Sequence, residues 1–441
     1  MFSRRSLVRL ILPLVGEQFL AVTIGLSDTF MVSSVSEAAV SGISLVDSIN
    51  VLLIQVFAAL ATGGAVVAAQ YLGREERKNA CTAAKQLLYA ITALSLGIMT
   101  VCLCFRGQIL SLVFGDIGAD VMKNADVYFF LTALSYPFLA VYNAGAALFR
   151  AMGNSKISML VSLIDNIVHI GGDALLIYGF GWGSAGAGAA TLIARILAAA
   201  AMFLLICRKD NMVFIDRPFH PELAVSMVKR ILNIGIPNGF ENGMFQIGKL
   251  VVQRQITALG TSAIAANAVA NSISSVSNIP GNAVSLALIT VVGQCLGAGD
   301  YKQATFYTKR LLVTSYLAMG ALNITLFCLT GPLVGAFGLD PVASESAKQI
   351  LYVFALCNGI IWTLSFVLPN SLRAAGDVRF TMLTSILSMW VFRIGFSYIL
   401  AGMLGLGVQG VWYAMYIDWV VRVVVFVFRF RSGKWKEKRV I

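Results

Sequence analysis

Four carboxylates and a histidine lie inside long apolar runs of the first half of the chain. Glu17 and Asp28 fall in the run 10–32, and Asp165, His169 and Asp173 fall in the run 157–178. A charge at the centre of a bilayer costs roughly 2.5–3.5 kcal/mol on insertion scales, so each of these groups is a functional candidate if the runs cross a membrane. Glu17 and Asp28 are eleven residues apart, close to three helical turns, and share a face. Asn166, His169 and Asp173 follow i, i+3, i+7 and make a polar stripe. Asp28 lies about 18 residues into its run and Asp173 about 16 into its own, so the two reach one depth, with Glu17 and Asp165 as a second layer. Two carboxylates at one depth in a low-dielectric cavity repel and are poorly solvated, which favours a proton held between them. Such a pair takes up a proton on the acidic side of a membrane and releases it on the other. With a hydroxyl or amide nearby, the same oxygens of Asp28 and Asp173 also suit Na⁺. His169 can carry charge near neutral pH, which favours protons over Na⁺; its alternative role is a hydrogen bond to a carbonyl of the following helix.

The second half has a stripe of its own. Asn242, Gln246, Lys249 and Gln253 follow i, i+4, i+7, i+11 in the run 231–258, with Glu241 beside Asn242. We expect Glu241 and Lys249 to line a substrate cavity and partly neutralise each other, with Glu17, Asn242, Gln246 and Arg393 in the same cavity; a purely structural pair between helices is the alternative. Arg195 and Arg393 are deep enough to need acidic or carbonyl partners. Arg254 and Arg422 lie near run ends, where long cationic side chains snorkel to the surface, and Asp418 can pair with Arg422 at i, i+4.

The elements that must position these residues follow from composition. Of 441 residues, 58% are hydrophobic and 12% charged, whereas a soluble domain has about a quarter charged residues. That excludes a water-soluble enzyme and a nucleic-acid-binding module. About 20 apolar residues span the hydrocarbon as a helix, and twelve runs qualify: 10–32, 49–72, 86–105, 127–149, 157–178, 185–206, 231–258, 263–296, 311–329, 350–371, 380–401 and 409–428, hereafter helices one to twelve. The eighth is too long for one span and holds Pro280-Gly281, so we expect it to bend or lie partly at the surface. The Arg-containing amino terminus resembles a signal peptide's charged region, but the apolar stretch after it is too long and no small-residue cleavage site closes it.

Of 33 Lys and Arg residues, Arg106, Lys123 and Lys348 fall in loops on one side and Arg195, Lys249, Arg254, Arg393 and Arg422 inside spans; all others lie on the opposite side, with both termini. By the positive-inside rule both termini are cytoplasmic and the chain is a multi-pass protein of the inner, cytoplasmic membrane. The net charge of +12 and the basic tail from Arg429 to Arg439 suit contact with anionic membrane lipids.

The halves repeat with an offset near 224. Pro13-Leu-Val-Gly-Glu17 returns as Pro237-Asn-Gly-Phe-Glu241, and Gln70-Tyr-Leu-Gly73 as Gln294-Cys-Leu-Gly297. Leu148-Phe-Arg-Ala-Met-Gly153 returns as Ser371-Leu-Arg-Ala-Ala-Gly376, and Gly181-x-Gly183-x-x-Gly186 as Gly405-x-Gly407-x-x-Gly410. Four motifs in one order are the mark of a duplication. Six helices per repeat bring both repeats in from the same side, so the expected fold is an all-α membrane protein: twelve transmembrane helices in two six-helix lobes related by a pseudo-two-fold axis along the membrane normal, suited to rocking around a central cavity. We divide the chain into an amino-terminal lobe, 1–207, a polar cytoplasmic linker, 208–230, and a carboxyl-terminal lobe with its basic tail, 231–441. At the same offset Asp28 becomes Val252, His169 becomes Arg393, and Asp173 becomes Phe396 or Ser397. The acidic pair is absent from the second repeat, which points to ion coupling in the first.

Ser27-Asp-Thr-Phe-Met-Val32, Gln70-Tyr-Leu-Gly73, Phe149-Arg-Ala-Met-Gly-Asn154 and the glycine-rich turn before helix six together resemble the multidrug and toxic compound extrusion (MATE) family, over nearly the whole chain and closer to its DinF-like than to its NorM-like branch. The resemblance implies a cation-coupled antiporter, driven by H⁺ or Na⁺, that exports small amphipathic organic cations by alternating access, as a monomer, without cofactor and without enzymatic activity. It matches Asp28 to the family's helix-one aspartate, Asp173 to its helix-five aspartate and Thr191 to a helix-six threonine near that site; the family often has asparagine where this chain has His169. Some relatives bind the cation with a helix-seven glutamate and a helix-ten aspartate, but helix ten, 350–371, has no acidic residue here. The alternative is a flippase for a lipid-linked sugar, as in distant relatives of this fold, with Lys249, Arg254 and Arg393 holding pyrophosphate.

Three strings mislead. Gly181-x-Gly-x-x-Gly186 has the spacing of a dinucleotide fingerprint, but no strand precedes it and it recurs at 405–410 between apolar helices; it reads as a tight turn with close helix packing. Cys102-x-Cys104 lies in a span without a second pair. Gly171-Gly-Asp173 lacks the first glycine of the intramembrane aspartyl protease motif, its place taken by Ile170.

Overall fold

The structure, a computed structural model, describes residues 2–33, 35–115, 118–216 and 222–441, without the side chains of Leu26, Asp28, Thr29, Phe30 and Ser33. Residues 217–221 of the polar linker, His220 among them, lie outside the described residues. The chain separates into two units, Phe2–Gly239 and Phe240–Ile441. In the first unit, helix one is Arg4–Ser33, helix two Glu37–Gly73 and helix three Arg77–Cys104. After a short helix, Arg106–Phe114, helix four comes in two pieces, Ala119–Leu134 and Tyr136–Ala151. Helix five is Ser155–Asp173, continued by a wide π-helical turn Ala174–Gly179, and helix six is Gly183–Ile206. Helix seven, Val225–Thr257, carries the boundary between the units at Gly239, just past Pro237. Helix eight is split into Thr261–Ser277 and Ile279–Gly297, as its Pro280 led us to expect. Helix nine is Tyr301–Gly335 and helix ten Pro341–Ala374, widened to π geometry over Asn358–Val367. Helix eleven is Val378–Met403, also with π-helical stretches, and helix twelve is Gly407–Arg431.

Among the described residues ten helices are long and apolar enough to cross a membrane, and eleven with the two pieces of helix four taken together. The shortfall has a chemical cause. Helix seven carries Lys229, Arg230, Glu241, Lys249 and Arg254, and the first piece of helix eight is rich in alanine, asparagine and serine. Of these polar groups, Lys249, Asn267, Asn271 and Ser275 line the cavity described below.

Helix four bends by 46° at Ser135. Pro137, in its second piece, has no N–H to give the Ala133 carbonyl, and at the bend the Ser135 hydroxyl donates to the Thr132 carbonyl at 2.6 Å. In the first unit helix one packs along helix five, and helix two along helices three and four. The start of helix seven lies against helix two: a Cβ on Gly63 would stand 2.7 Å from the Ile231 carbonyl, and one on Gly235 would stand 3.0 Å from the Leu60 Cα. Small residues at such contacts let helix backbones approach closely.

The glycine-rich turns behave as read. Gly181 and Gly183 hold φ +69° and +54°, and Gly405 and Gly407 hold +66° and +57°, values that favour glycine. The third glycine of each serves packing: a Cβ on Gly186 would meet the Leu176 carbonyl at 3.1 Å, and one on Gly410 would meet the Ala401 amide nitrogen at 2.7 Å. The two turns thus share the same pattern of positive φ at their first two glycines.

Loops are tied by named contacts. Asp300 caps helix nine, accepting from the Gln303 amide at 2.8 Å, and that bond holds its carboxyl below the ordinary aspartate range. Asp340 caps helix ten through the Val342 and Ala343 amides, both at 3.0 Å. In the basic tail, Arg429 grips Asp377 with two hydrogen bonds, 2.7 and 3.1 Å. Trp435 is buried and stacked on Phe430 at 5.3 Å, so the tail's beginning folds onto its own unit. Arg77 donates to the carbonyls of Lys209, Asn211 and Met212 at 3.2, 2.8 and 2.9 Å. Arg77→Ala removes these bonds, each contributing about 1 kcal/mol at most in so exposed a place. The expected result is several-fold faster amide exchange across residues 209–214, read by hydrogen–deuterium exchange, with the spans unaffected.

Candidate functional site

In the first unit the polar stripe of helix five turns towards helix six. Asp173, His169, Asn166 and Thr191 are all buried. The Thr191 hydroxyl donates to the Ala187 carbonyl at 2.9 Å and lies within hydrogen-bond distance of His169 Nε2, at 3.1 Å. His169 Nε2 lies 3.6 Å from Asp173 Oδ2, one turn along the same helix. The Thr191 hydroxyl of helix six is thus one hydrogen-bond partner of His169. Asn166 donates to the Ser162 carbonyl at 2.8 Å, and its own Oδ1 is buried without a hydrogen-bond partner among the described residues. The Asp28 side chain lies outside the described residues, so the site is followed here through Asp173. A carboxylate, an imidazole and a hydroxyl in line, shielded from water, make an arrangement that can hold or pass a proton.

A second polar group in this unit escaped the sequence reading. Asp47 Oδ1 accepts from Tyr128 at 3.0 Å and from Asn50 Nδ2 at 3.1 Å, and Asn50 Oδ1 accepts from Tyr136 at 2.8 Å. Beside them at the helix-four bend, Arg195 donates to Ser135 Oγ at 2.7 Å. Helix two begins at Glu37, twelve residues before the apolar run that marked it, which brings Asp47 inside the helix. The signal was present: Asp47 and Asn50 are spaced i, i+3 on a continuous apolar background.

The glutamates of the repeated Pro-x-x-x-Glu motif are bound to arginines of the repeated Arg-Ala motif. Glu17 pairs with Arg150 at 2.7 Å and accepts from Ser158 at 2.7 Å. Glu241 pairs with Arg373 at 2.6 Å, and Arg373 also donates to Asn370 at 2.9 Å. The expected pairing of Glu241 with Lys249 is thus corrected. Arg373 reaches Glu241 from helix ten, and Lys249 has no ion pair among the described residues. Arg422 does not snorkel either. It is buried against Asp418 at 2.8 Å, the i, i+4 partner read from the sequence, and also donates to the Ser385 carbonyl at 3.0 Å. Arg254 is exposed.

The second unit has an open cavity of about 320 Å³ between helices seven, eight, eleven and twelve. Lys249, Gln253 and Arg393 line it, together with Asn267, Trp412 and Met415; its lining does not include Asn242, Gln246 or Glu241. Trp412 Nε1 donates to Asn267 Oδ1 at 3.1 Å and Asn267 Nδ2 donates to Gln253 Oε1 at 3.2 Å, which fixes the polar wall. Lys249 and Arg393 stand 5.3 and 5.7 Å from the centre of the Phe245 ring, within cation–π range.

Twelve helical spans in two successive sixes, with polar groups buried inside each, define a multi-pass membrane transporter. The family model MatE matches residues 13–175 and 237–399, two segments displaced by the same offset as the repeat, and the chain belongs to this family of multidrug efflux transporters. It is 25% identical to a probable multidrug resistance protein NorM of Thermotoga maritima, over 99% of this chain and 94% of that protein. It is 26% identical to the uncharacterized transporter YisQ of Bacillus subtilis, over 98% and 95%. Among solved structures, the outward-facing conformation of a multidrug resistance MATE family transporter of the MOP superfamily has a TM-score of 0.91 at 20% identity, covering 98% of this chain and 96% of that one. Such likeness fixes the fold: an all-α membrane protein of twelve transmembrane helices in two lobes.

Proposed function

We propose that the chain is a proton-coupled antiporter that exports amphipathic organic cations across the cytoplasmic membrane, with both termini cytoplasmic, and that the coupling site is Asp173 with His169, Thr191, Asn166 and Asp28. The observation that carries this reading is His169 Nε2 set 3.6 Å from Asp173 Oδ2 and 3.1 Å from Thr191 Oγ1 in a buried site. Na⁺ prefers a shell of oxygens, whereas an imidazole N–H beside a carboxylate is a proton donor next to its acceptor. Protonation neutralises the site, and a bound organic cation competes for the same carboxylate, so the two ligands exclude each other. Alternating access then turns that exclusion into exchange. Orientation follows from the loop charges. Within the family we infer the DinF-like branch, supported by the helix-one and helix-five aspartates and by the interior of helix ten, 350–371, which carries no acidic residue.

The test is a ΔpH-sensitive dye in energised inside-out vesicles, with a lipophilic organic cation added in the presence and absence of Na⁺. Collapse of the gradient on drug addition without Na⁺ is the expected result, and Asp28→Asn is expected to remove it. A response that requires Na⁺ would transfer the coupling to that ion, and no response to a panel of cations at verified expression would end the exporter reading.

A further inference from the structure

The residues that occupy, in the second repeat, the places of Asp28, His169 and Thr191 are Val252, Arg393 and Met415, and all three line the cavity of the second unit. The repeat therefore builds a hollow at the corresponding place but inverts its charge. None of the described residues lining the cavity is acidic. The acidic groups on the helices around it are committed elsewhere, Glu241 to Arg373 and Asp418 to Arg422. Among the described residues Lys249 and Arg393 form no ion pair, and Arg393 Nε makes no hydrogen bond. Two cations facing one cavity of about 320 Å³ repel each other, and an anion seated between them relieves that repulsion.

We infer that this cavity is a subsite for the anionic group of an amphiphilic aromatic substrate. Lys249 and Arg393 supply the charge, with Arg393 offering the planar fork that matches a carboxylate or phosphate. The Gln253 amide, held by Asn267 through its oxygen, presents its N–H₂ as a further donor. Val252, Trp412 and Met415 make the apolar wall against which a ring can lie. The subsite rests on the exporter reading above and extends the substrates to molecules that carry an acidic group, zwitterions included.

Purified protein in nanodiscs of zwitterionic lipid would be titrated calorimetrically with three probes sharing one ring system: 2-naphthoate, 2-naphthyl phosphate and 2-naphthylmethylammonium. At least one of the two anions is expected to bind wild type tenfold or more tightly than it binds the Lys249→Gln/Arg393→Gln double variant, while the ammonium probe binds both alike. Whichever anion binds more tightly tells a carboxylate from a phosphate group as the natural ligand. Because the double variant can fail to fold, Val252→Asp is the second arm. It leaves both cations in place, restores the carboxylate found at position 28, and is expected to weaken the anions tenfold. Anions that bind wild type no better than they bind these variants overturn the subsite. The titrations need no turnover, so the two readings fail separately: anion binding without a drug-triggered pH response counts against the exporter alone, and a pH response without anion binding counts against the subsite alone.

Discussion

Asp173→Asn is expected to reduce drug-triggered proton movement at least tenfold and to bring cellular drug resistance down to the level of cells lacking the protein. Asparagine has nearly the shape of aspartate and can still hydrogen-bond, but it neither takes up a proton nor attracts a cation at working pH. The site keeps its packing and loses its exchange. His169→Ala should give a smaller loss, because the imidazole positions and passes the proton while the carboxylate holds the charge that the substrate competes for. Thr191→Val removes the oxygen that lies 3.1 Å from His169 Nε2 and should fall between wild type and His169→Ala. The measurement is initial rate of ΔpH collapse in everted vesicles, normalised to protein present in the membrane. A wild-type rate in Asp173→Asn would remove helix five from the coupling path.

The largest effect on folding is expected at Asp418 and Arg422. Both are buried, they lie 2.8 Å apart, and Arg422 also holds the Ser385 carbonyl while Ser388 donates to the Asp418 carboxylate. Arg422→Met leaves a buried aspartate without its cation, and breaking a buried pair in this way costs about 3–5 kcal/mol. The expected result is a large drop in the fraction of monodisperse protein and in the unfolding temperature, read by fluorescence-detected size-exclusion chromatography after heating. Asp418→Asn/Arg422→Met removes both charges together and should recover most of the loss, since replacing both members of a buried pair is much less harmful than orphaning one. If the double variant is no more stable than the single one, the ion pair is not the source of the effect.

Much of this architecture was legible in the residues. Apolar runs of about 20 residues located the spans because backbone polar groups in lipid must bond within a helix. The offset of 224 aligned two sixes, and the glycine-rich turns kept the same positive φ angles in both copies. The pairing of Asp418 with Arg422 was readable because helical periodicity brings i and i+4 together whatever surrounds them. The stripe of Asn166, His169 and Asp173 was readable for the same reason.

Contacts between helices were decided by packing. Glu17 and Arg150 are 133 residues apart, and Glu241 and Arg373 are 132 apart; nothing in helical periodicity selects those partners over Lys249. The sequence marked Lys249 as half of a neutral pair, and only the arrival of Arg373 at Glu241 left it unpaired in a cavity with Arg393. Asp47 lay outside an apolar run and proved to be inside a helix, because a helix continues past the apolar stretch wherever neighbours satisfy its polar side chains. Periodicity determines which face of a helix a residue occupies. Which helix that face meets, and hence whether a buried charge is neutralised or left to attract a ligand, depends on tertiary packing.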